Sequence, residues 1–134
     1  MSDFKICTMP RTPENMAALN PAYSPKAAPL VSMSAAQANP QGNLYAVLDG
    51  ENVLMTFIID YVKRSCGTIE AEICAAAGEL KGCDLVLSIW PAIKQIAKDQ
   101  GASSVMFETK RRGLIAKAAA VGFKESSRIL RIAI

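Results

Sequence analysis

Two carboxylates on alternate residues of one apolar stretch, Glu70 and Glu72 in TIEAEICA, are among the groups that could move a proton in this chain, with Tyr45 and Tyr61 as further candidates. The sequence contains no histidine, which excludes Ser-His and Cys-His mechanisms. Acid–base work therefore falls to Glu, Asp, Tyr, Cys, Lys or bound water. Alternation also describes solvent-facing residues of a strand, so both glutamates stay candidates and neither is preferred.

Immediately downstream, AAAGELKGCDLV (residues 75–86) passes from a strand end through two glycines into a helix. Unpaired N–H groups at a helix start, together with the helix dipole, favour phosphate. Gly78, Lys81, Gly82 and Cys83 are the candidates for such an anion-binding loop. Glu79 and Asp84 oppose it, each by on the order of 1 kcal/mol at ~5 Å from a phosphate in a wet site. Acids also favour a helix start for its own sake, so the same residues describe a plain strand-to-helix turn. A third group, Lys110, Arg111, Arg112 and Lys117 in TKRRGLIAK, can hold an acidic partner or a phosphate. The absence of aromatic residues around it argues against a platform for single-stranded nucleic acid, without excluding nucleic acid altogether. Cys7, Cys66, Cys74 and Cys83 form no CxxC, and no metal site is expected from them. Cys74 and Cys83 flank the glycine loop and read as buried, inert thiols.

The elements that must position these groups follow from hydrophobic period and turn chemistry. DFKICTM reads as a first strand and TPENMAALN as a short helix with Thr12 as cap and Pro13 at its first position. A second helix is expected after Ser24, delayed or kinked by Pro29, with AAQANPQGN as loop. NLYAVLDGENVLMTFIIDYVKR is two apolar runs about Asp49-Gly50, a hairpin. A further turn near Ser65 to Gly67 leads into the strand that carries Glu70 and Glu72. A helix over roughly 83–100 buries Val86, Ile89, Trp90, Ile93, Ile96 and Ala97, with Pro91 inside it and Gly101 at its end. SSVMFET is a strand, and RGLIAKAAAVG a helix burying Leu114, Ile115, Ala118 and Val121. SSRILRIAI is a last strand with Leu130, Ile132 and Ile134 on one face.

The order β-α-α-β-β-β-α-β-α-β predicts a mixed α+β (α/β) domain: a mainly antiparallel central sheet with helices on both faces. At 134 residues, 51% hydrophobic and 20% charged, the chain is expected to form a single domain over 1–134. Within it, residues 1–42 form an N-terminal strand and Pro/Ala-rich helical segment, and 43–134 the core. A net charge of +3 is too small to imply nucleic-acid binding, and no apolar run reaches membrane-spanning length. MSDFKICTM lacks the pattern of a signal peptide, so a cytoplasmic setting is expected.

The element order together with AKAAAVGFKESSRILRI resembles the GCN5-related N-acetyltransferases, in which a helix ends in a Gly-Phe pair, here Gly122-Phe123. The resemblance covers roughly 43–134 and implies an acyl-CoA N-acyltransferase-like fold with acetyl-CoA held where the fourth strand parts from the fifth. It implies a pyrophosphate loop at ELKGCD, with Gly82 as the central glycine and Glu79 where the family uses Arg or Gln. It implies a general base among Glu70 and Glu72. The family's thiolate-protonating tyrosine falls at Ala118, and its frequent asparagine before that helix is replaced by Lys110, Arg111 and Arg112. The 3′-phosphate of CoA is one ligand that basic group could take. The Arg-Arg-Gly and Gly-Phe phrases, with a Trp-bearing helix before them, also resemble small tailed-phage virion proteins of this fold. Two readings result. The first is a degenerate acyltransferase-fold protein of binding or assembly, with no cofactor, a protein partner or second copy, and a virion setting if phage-encoded. The alternative is an N-acyltransferase that moves an acetyl group from acetyl-CoA to an amine.

Overall fold

A computed structural model describes residues 4–23, 34–78, 84–108, 112–128, 130 and 132. Its frame is a five-stranded sheet in the order β1 (Lys5–Met9), β2 (Asn43–Asp49), β3 (Asn52–Lys63), β4 (Ile69–Gly78) and β5 (Ser104–Phe107). The first four strands pair antiparallel, and β5 joins β4 in parallel. A parallel neighbour needs a crossover. Here α3 (Asp84–Asp99) is that crossover, and α4 (Arg112–Ala120) follows β5. The N-terminal third supplies α1 (Pro13–Ala17), a 3-10 turn at Asn20–Tyr23 and α2 (Ala35–Ala38).

Turn chemistry sets the registers. Asp49 pairs with Asn52, so the β2–β3 loop is Gly50-Glu51, and only the glycine takes a positive φ, +61°. That is the II′ pattern, whose twist matches the strands it joins. At the next hairpin Arg64 N–H donates to the Thr68 carbonyl at 2.8 Å, and Gly67 N–H to that of Arg64 at 2.9 Å. Counting back from this turn puts Lys63 opposite Ile69 and Asp60 opposite Glu72.

Both sheet faces are covered. Tyr45, Val47, Phe57, Ile59 and Ala71 meet Ile89, Ile93 and Ala97 of α3. On the other face Leu44, Ile58 and Ala75 meet Met16 of α1, Leu19 and Ala35 of α2. Phe57, Leu19, Leu44, Ile58, Ile59 and Val47 are the largest fully buried side chains, each stabilising by roughly 1.5–3 kcal/mol relative to exposure. Arg11 ties the N-terminal segment to this body by donating to the carbonyls of Asn39, Gln41 and Gly42.

Helix α3 runs through Pro91 as one element, as expected. Three expectations need correction. AAQA is a helix rather than loop, because Ser34 accepts from Gln37 N–H while the Gln37 side chain accepts from Ser34 N–H. This reciprocal cap is written in S-x-x-Q. Ile115 is exposed at 47%, since α4 turns only Leu114, Ala118 and Val121 inward. Finally, the last strand is not formed among the described residues: 123–128, 130 and 132 carry no strand pairing. Leu130 is 94% and Ile132 86% exposed, and Ile134 lies outside the described residues. Alternation defines a strand's two faces but not its partner. The second helix expected after Ser24 also falls largely outside the described residues, which omit 24–33.

One position tests the frame. Gly42 has φ +104°, and a Cβ there would lie 2.9 Å from Ile58 Cγ2 and 3.1 Å from the Ile59 carbonyl. Gly42→Ala should lower stability by about 1–3 kcal/mol through strain and the clash. A urea melt with an unchanged midpoint would show that the segment adapts without cost.

Candidate functional site

The candidate site is where β4 and β5 part. Their ladder runs from Glu70–Ser104 to Ile73–Phe107, while β4 continues to Gly78. The parting coincides with a bulge: Ile59 pairs with Ile73 and Ile58 with Ala75, which leaves Cys74 as the extra residue. A bulge bends a strand and frees ladder groups of the backbone. The residue that causes it is held from the α1 side. The Tyr23 hydroxyl donates to the Cys74 carbonyl at 3.1 Å and accepts from Asn39 Nδ2 at 2.7 Å.

On the α3 face of the parting lies a cavity of about 70 Å³ whose walls are wholly apolar. Ala76 of β4, Phe107 of β5, Trp90 of α3 and Ala118 of α4 border it, and Phe123 closes it. Phe123 is placed by the end of α4: Gly122 takes φ +104°, and Gly122 N–H and Phe123 N–H donate to the carbonyls of Ala119 and Ala118, each at 3.1 Å. This Schellman cap turns the chain back on itself. Phe123 then meets Trp90 at 4.7 Å and Phe107 at 5.1 Å, both edge to face. The Gly-Phe phrase thus has a physical reason.

On the opposite face the two glutamates part company. Glu70 accepts from Arg64 at 2.5 Å and from the Ser104 hydroxyl at 2.9 Å. These bonds hold its carboxyl below the usual range. Glu72 is half-buried, and burial pushes its carboxyl up, followed by the charges of Glu108, Asp60 and Glu70. The two carboxyls are thus shifted in opposite directions, Glu70 down and Glu72 up. Beside it, burial first and Glu72 next raise the Cys74 thiol to about 11, so it is no thiolate. Burial also raises the Tyr23 phenol, against the bond from Asn39.

This chain resembles solved structures along nearly its whole length. A putative acetyl transferase from Pyrococcus furiosus matches with a TM-score of 0.72 at 13% identity, over 98% of this chain and 100% of that one. A ribosomal-protein-alanine N-acetyltransferase from Brucella melitensis biovar Abortus 2308 matches with 0.68 at 12%, over 96% and 99%. The fold is that of the GCN5-related N-acetyltransferases. A transcriptional regulator from Bacillus halodurans C-125 shares the acetyltransferase fold too, with 0.69 at 13% identity over 98% and 100%. No family model and no curated protein sequence matches the chain.

Within this acetyltransferase fold the remaining candidates fall as follows. Gly78 ends β4, and a Cβ there would lie 2.6 Å from the Leu54 carbonyl, so strand packing by itself requires glycine. Lys81, Gly82 and Cys83 lie outside the described residues, between the end of β4 and the start of α3. Lys110 and Arg111 lie outside them as well. Arg112 is exposed at the start of α4, and Lys117 is half-buried further along it. Sequence reasoning missed Tyr23, Asp60 and Glu108 as surroundings of Glu72, and Asn39 as the partner of Tyr23. Asp60 was within reach, because hairpin counting sets it opposite Glu72. Tyr23 and Cys74 are brought together by tertiary packing alone.

The opposed shifts give opposite pH signatures. A carboxyl raised in the fold is penalised once pH exceeds its folded value, and the penalty is absent below the unfolded value, about 4.3. Glu72→Gln should therefore raise the melting temperature at pH ~8, with the gain gone by pH ~4. Glu70 is depressed, so its contribution is present at high pH and lost as pH falls through its folded value. Glu70→Gln should lower the melting temperature slightly at pH ~8 and leave it unchanged in acid. Melts of the two variants that respond alike would contradict the assignment.

Proposed function

We propose that this chain is an acyl-CoA-dependent N-acyltransferase. The observation that carries the reading is the parting of β4 and β5 at Cys74, with an apolar cleft on one face and a raised carboxyl on the other. Ile73–Phe107 is the last ladder pair, and Glu72 and Glu108 adjoin it on the far side. An acyl group and an amine that approach from opposite faces meet at that point.

The residues fit a thioester donor in part. Walls of alanine and aromatic carbon suit the apolar arm of CoA, and the basic group at 110–117 suits its phosphates. The glycine loop would take the pyrophosphate through its backbone N–H groups. When bound, acyl-CoA supplies the activated acyl carbon. Glu72 accepts a proton from the acceptor ammonium, directly or through one water. The free amine attacks the acyl carbon, the new C–N bond forms and the C–S bond breaks, and the second amine proton passes through water to the departing thiolate. Backbone N–H groups of β4 beyond the bulge, which lack a β5 partner among the described residues, can donate to the developing oxyanion. Ala118 offers no proton to the leaving thiolate, so water must supply it. That substitution is the feature that favours the second reading, a binding or assembly role without catalysis.

Calorimetric titration with acetyl-CoA and with CoA distinguishes the two. Micromolar binding is expected, reported in parallel by Trp90, the sole tryptophan, at the cleft wall. Glu72→Gln should retain that binding while transfer to an amine falls at least ~100-fold, and wild-type activity should rise with pH through a midpoint above the ordinary glutamate range. A folded protein that binds neither CoA nor acetyl-CoA would end the enzymatic reading.

A further inference from the structure

The cavity on the α3 face runs under three strands. Phe107 borders it from β5, Ala76 from β4 and Phe57 from β3. That is a span of about 10 Å at the ~4.8 Å spacing of neighbouring strands. Phe57, Ile89, Ile93 and Ala118 are each at most 6% exposed and form its floor. Ala76 is exposed and marks its mouth. The cavity is thus a blind pocket that opens beside the stretch of β4 with no β5 partner among the described residues.

Two properties decide what such a pocket holds. Its lining offers no polar atom, so a group that enters it must need no hydrogen bond. The arm of CoA carries two amides, which find partners outside the pocket, on the unpaired backbone N–H and carbonyl groups of β4 beyond Ile73. The hydrocarbon of the acyl group has no such need. Size is the second property. A water-sized group takes about 10–15 Å³ of cavity space. The pocket, at about 70 Å³, therefore has room for roughly five such groups in a row or cluster. An acetyl methyl would leave most of it empty.

We propose that the acyl group this chain transfers is a straight chain of about four to six carbons, with its tail seated over Phe57 between Ile89 and Ala118. The proposal rests on the acyl-transfer reading and specifies its donor. The step itself is the same: the amine nitrogen bonds to the acyl carbon and the C–S bond breaks. One proton of the acceptor ammonium goes to Glu72 and another passes through water to the thiolate. Ala76 and Ala118 set the length of the tail, because a larger side chain at either position takes the space it needs.

Calorimetric titration of the full chain with CoA and with acetyl-, butyryl-, hexanoyl- and dodecanoyl-CoA, followed in parallel by Trp90 emission, tests it. Each methylene moved from water into the pocket adds about four-fold in affinity. Butyryl- and hexanoyl-CoA should therefore bind at least ten-fold tighter than acetyl-CoA, and dodecanoyl-CoA no tighter than hexanoyl-CoA. Ala118→Leu and Ala76→Leu should each lower the ratio of hexanoyl- to acetyl-CoA affinity at least ten-fold. Ala76 is exposed on its strand, so its variant carries the test if leucine at 118 prevents folding. Equal affinity of the wild-type chain for acetyl- and hexanoyl-CoA would overturn the proposal and leave the acyl-transfer reading standing. An affinity that climbs on to dodecanoyl-CoA, as at any apolar surface, or a ratio unmoved by both substitutions would overturn it in the same way. A folded chain that binds neither CoA nor any of the thioesters would remove both.

Discussion

The extra residue in β4 is the constraint on which this structure depends. Before Cys74, Ala71 and Ile73 face α3 with Phe57 and Ile59. After it the alternation is reset, so that Ala75 joins the opposite core and Ala76 borders the cleft. A regular strand would have kept its edge along β5 and sent these alanines to the wrong faces. The Tyr23 hydroxyl bond to the Cys74 carbonyl explains how an N-terminal turn, far away in sequence, contributes to the same site. The bulge is thus supported from one face, and the apolar cleft lies on the other.

The electrostatics follow from where the strands end. Glu70 sits inside the β4–β5 ladder, within reach of Arg64 and Ser104, and is held ionised by both. Two residues on, Glu72 has Asp60 across the hairpin and Glu108 beyond the end of β5, so its neighbours are acids. Alternation placed the two glutamates on one face, but only the register and the length of β5 made one an ion-pair partner and left the other among acids with its carboxyl raised.

Much of the frame was legible because local chemistry dictated it. Gly50 and Gly67 marked the hairpins, and Gly101 ends α3 with the same cap that Gly122 gives α4, its N–H donating to Lys98 and that of Ala102 to Ala97. The apolar stripe of Ile89, Ile93 and Ala97 placed α3 on the sheet. What was not legible depends on distant partners. Nothing local distinguishes a strand with a partner from SSRILRI without one, or reveals that Tyr23 reaches Cys74. Ser34 and Gln37 are a different case, since the capping pattern was present and only the alanine-rich context concealed it. Lys81, Gly82, Cys83, Lys110 and Arg111 lie outside the described residues, so the glycine loop and most of the basic group rest on sequence.

The alanines around the cleft bear on what kind of protein this is. An apolar cleft of about 70 Å³ leaves the side chains that line it without contacts on one side. Larger side chains at Ala76 or Ala118 would recover part of that, and a domain serving only as a scaffold has every reason to carry them. Ala118 therefore argues in two directions. It cannot donate a proton where the acetyltransferase resemblance expects a tyrosine, yet it also keeps open the space that a bulky residue would close. In a domain that had given up its cleft, loss of the donor and filling of the space would be expected together. Here Ala118 has no proton to donate, while the space persists between α3, α4 and a parted pair of strands, with Trp90, Phe107 and Phe123 on its walls.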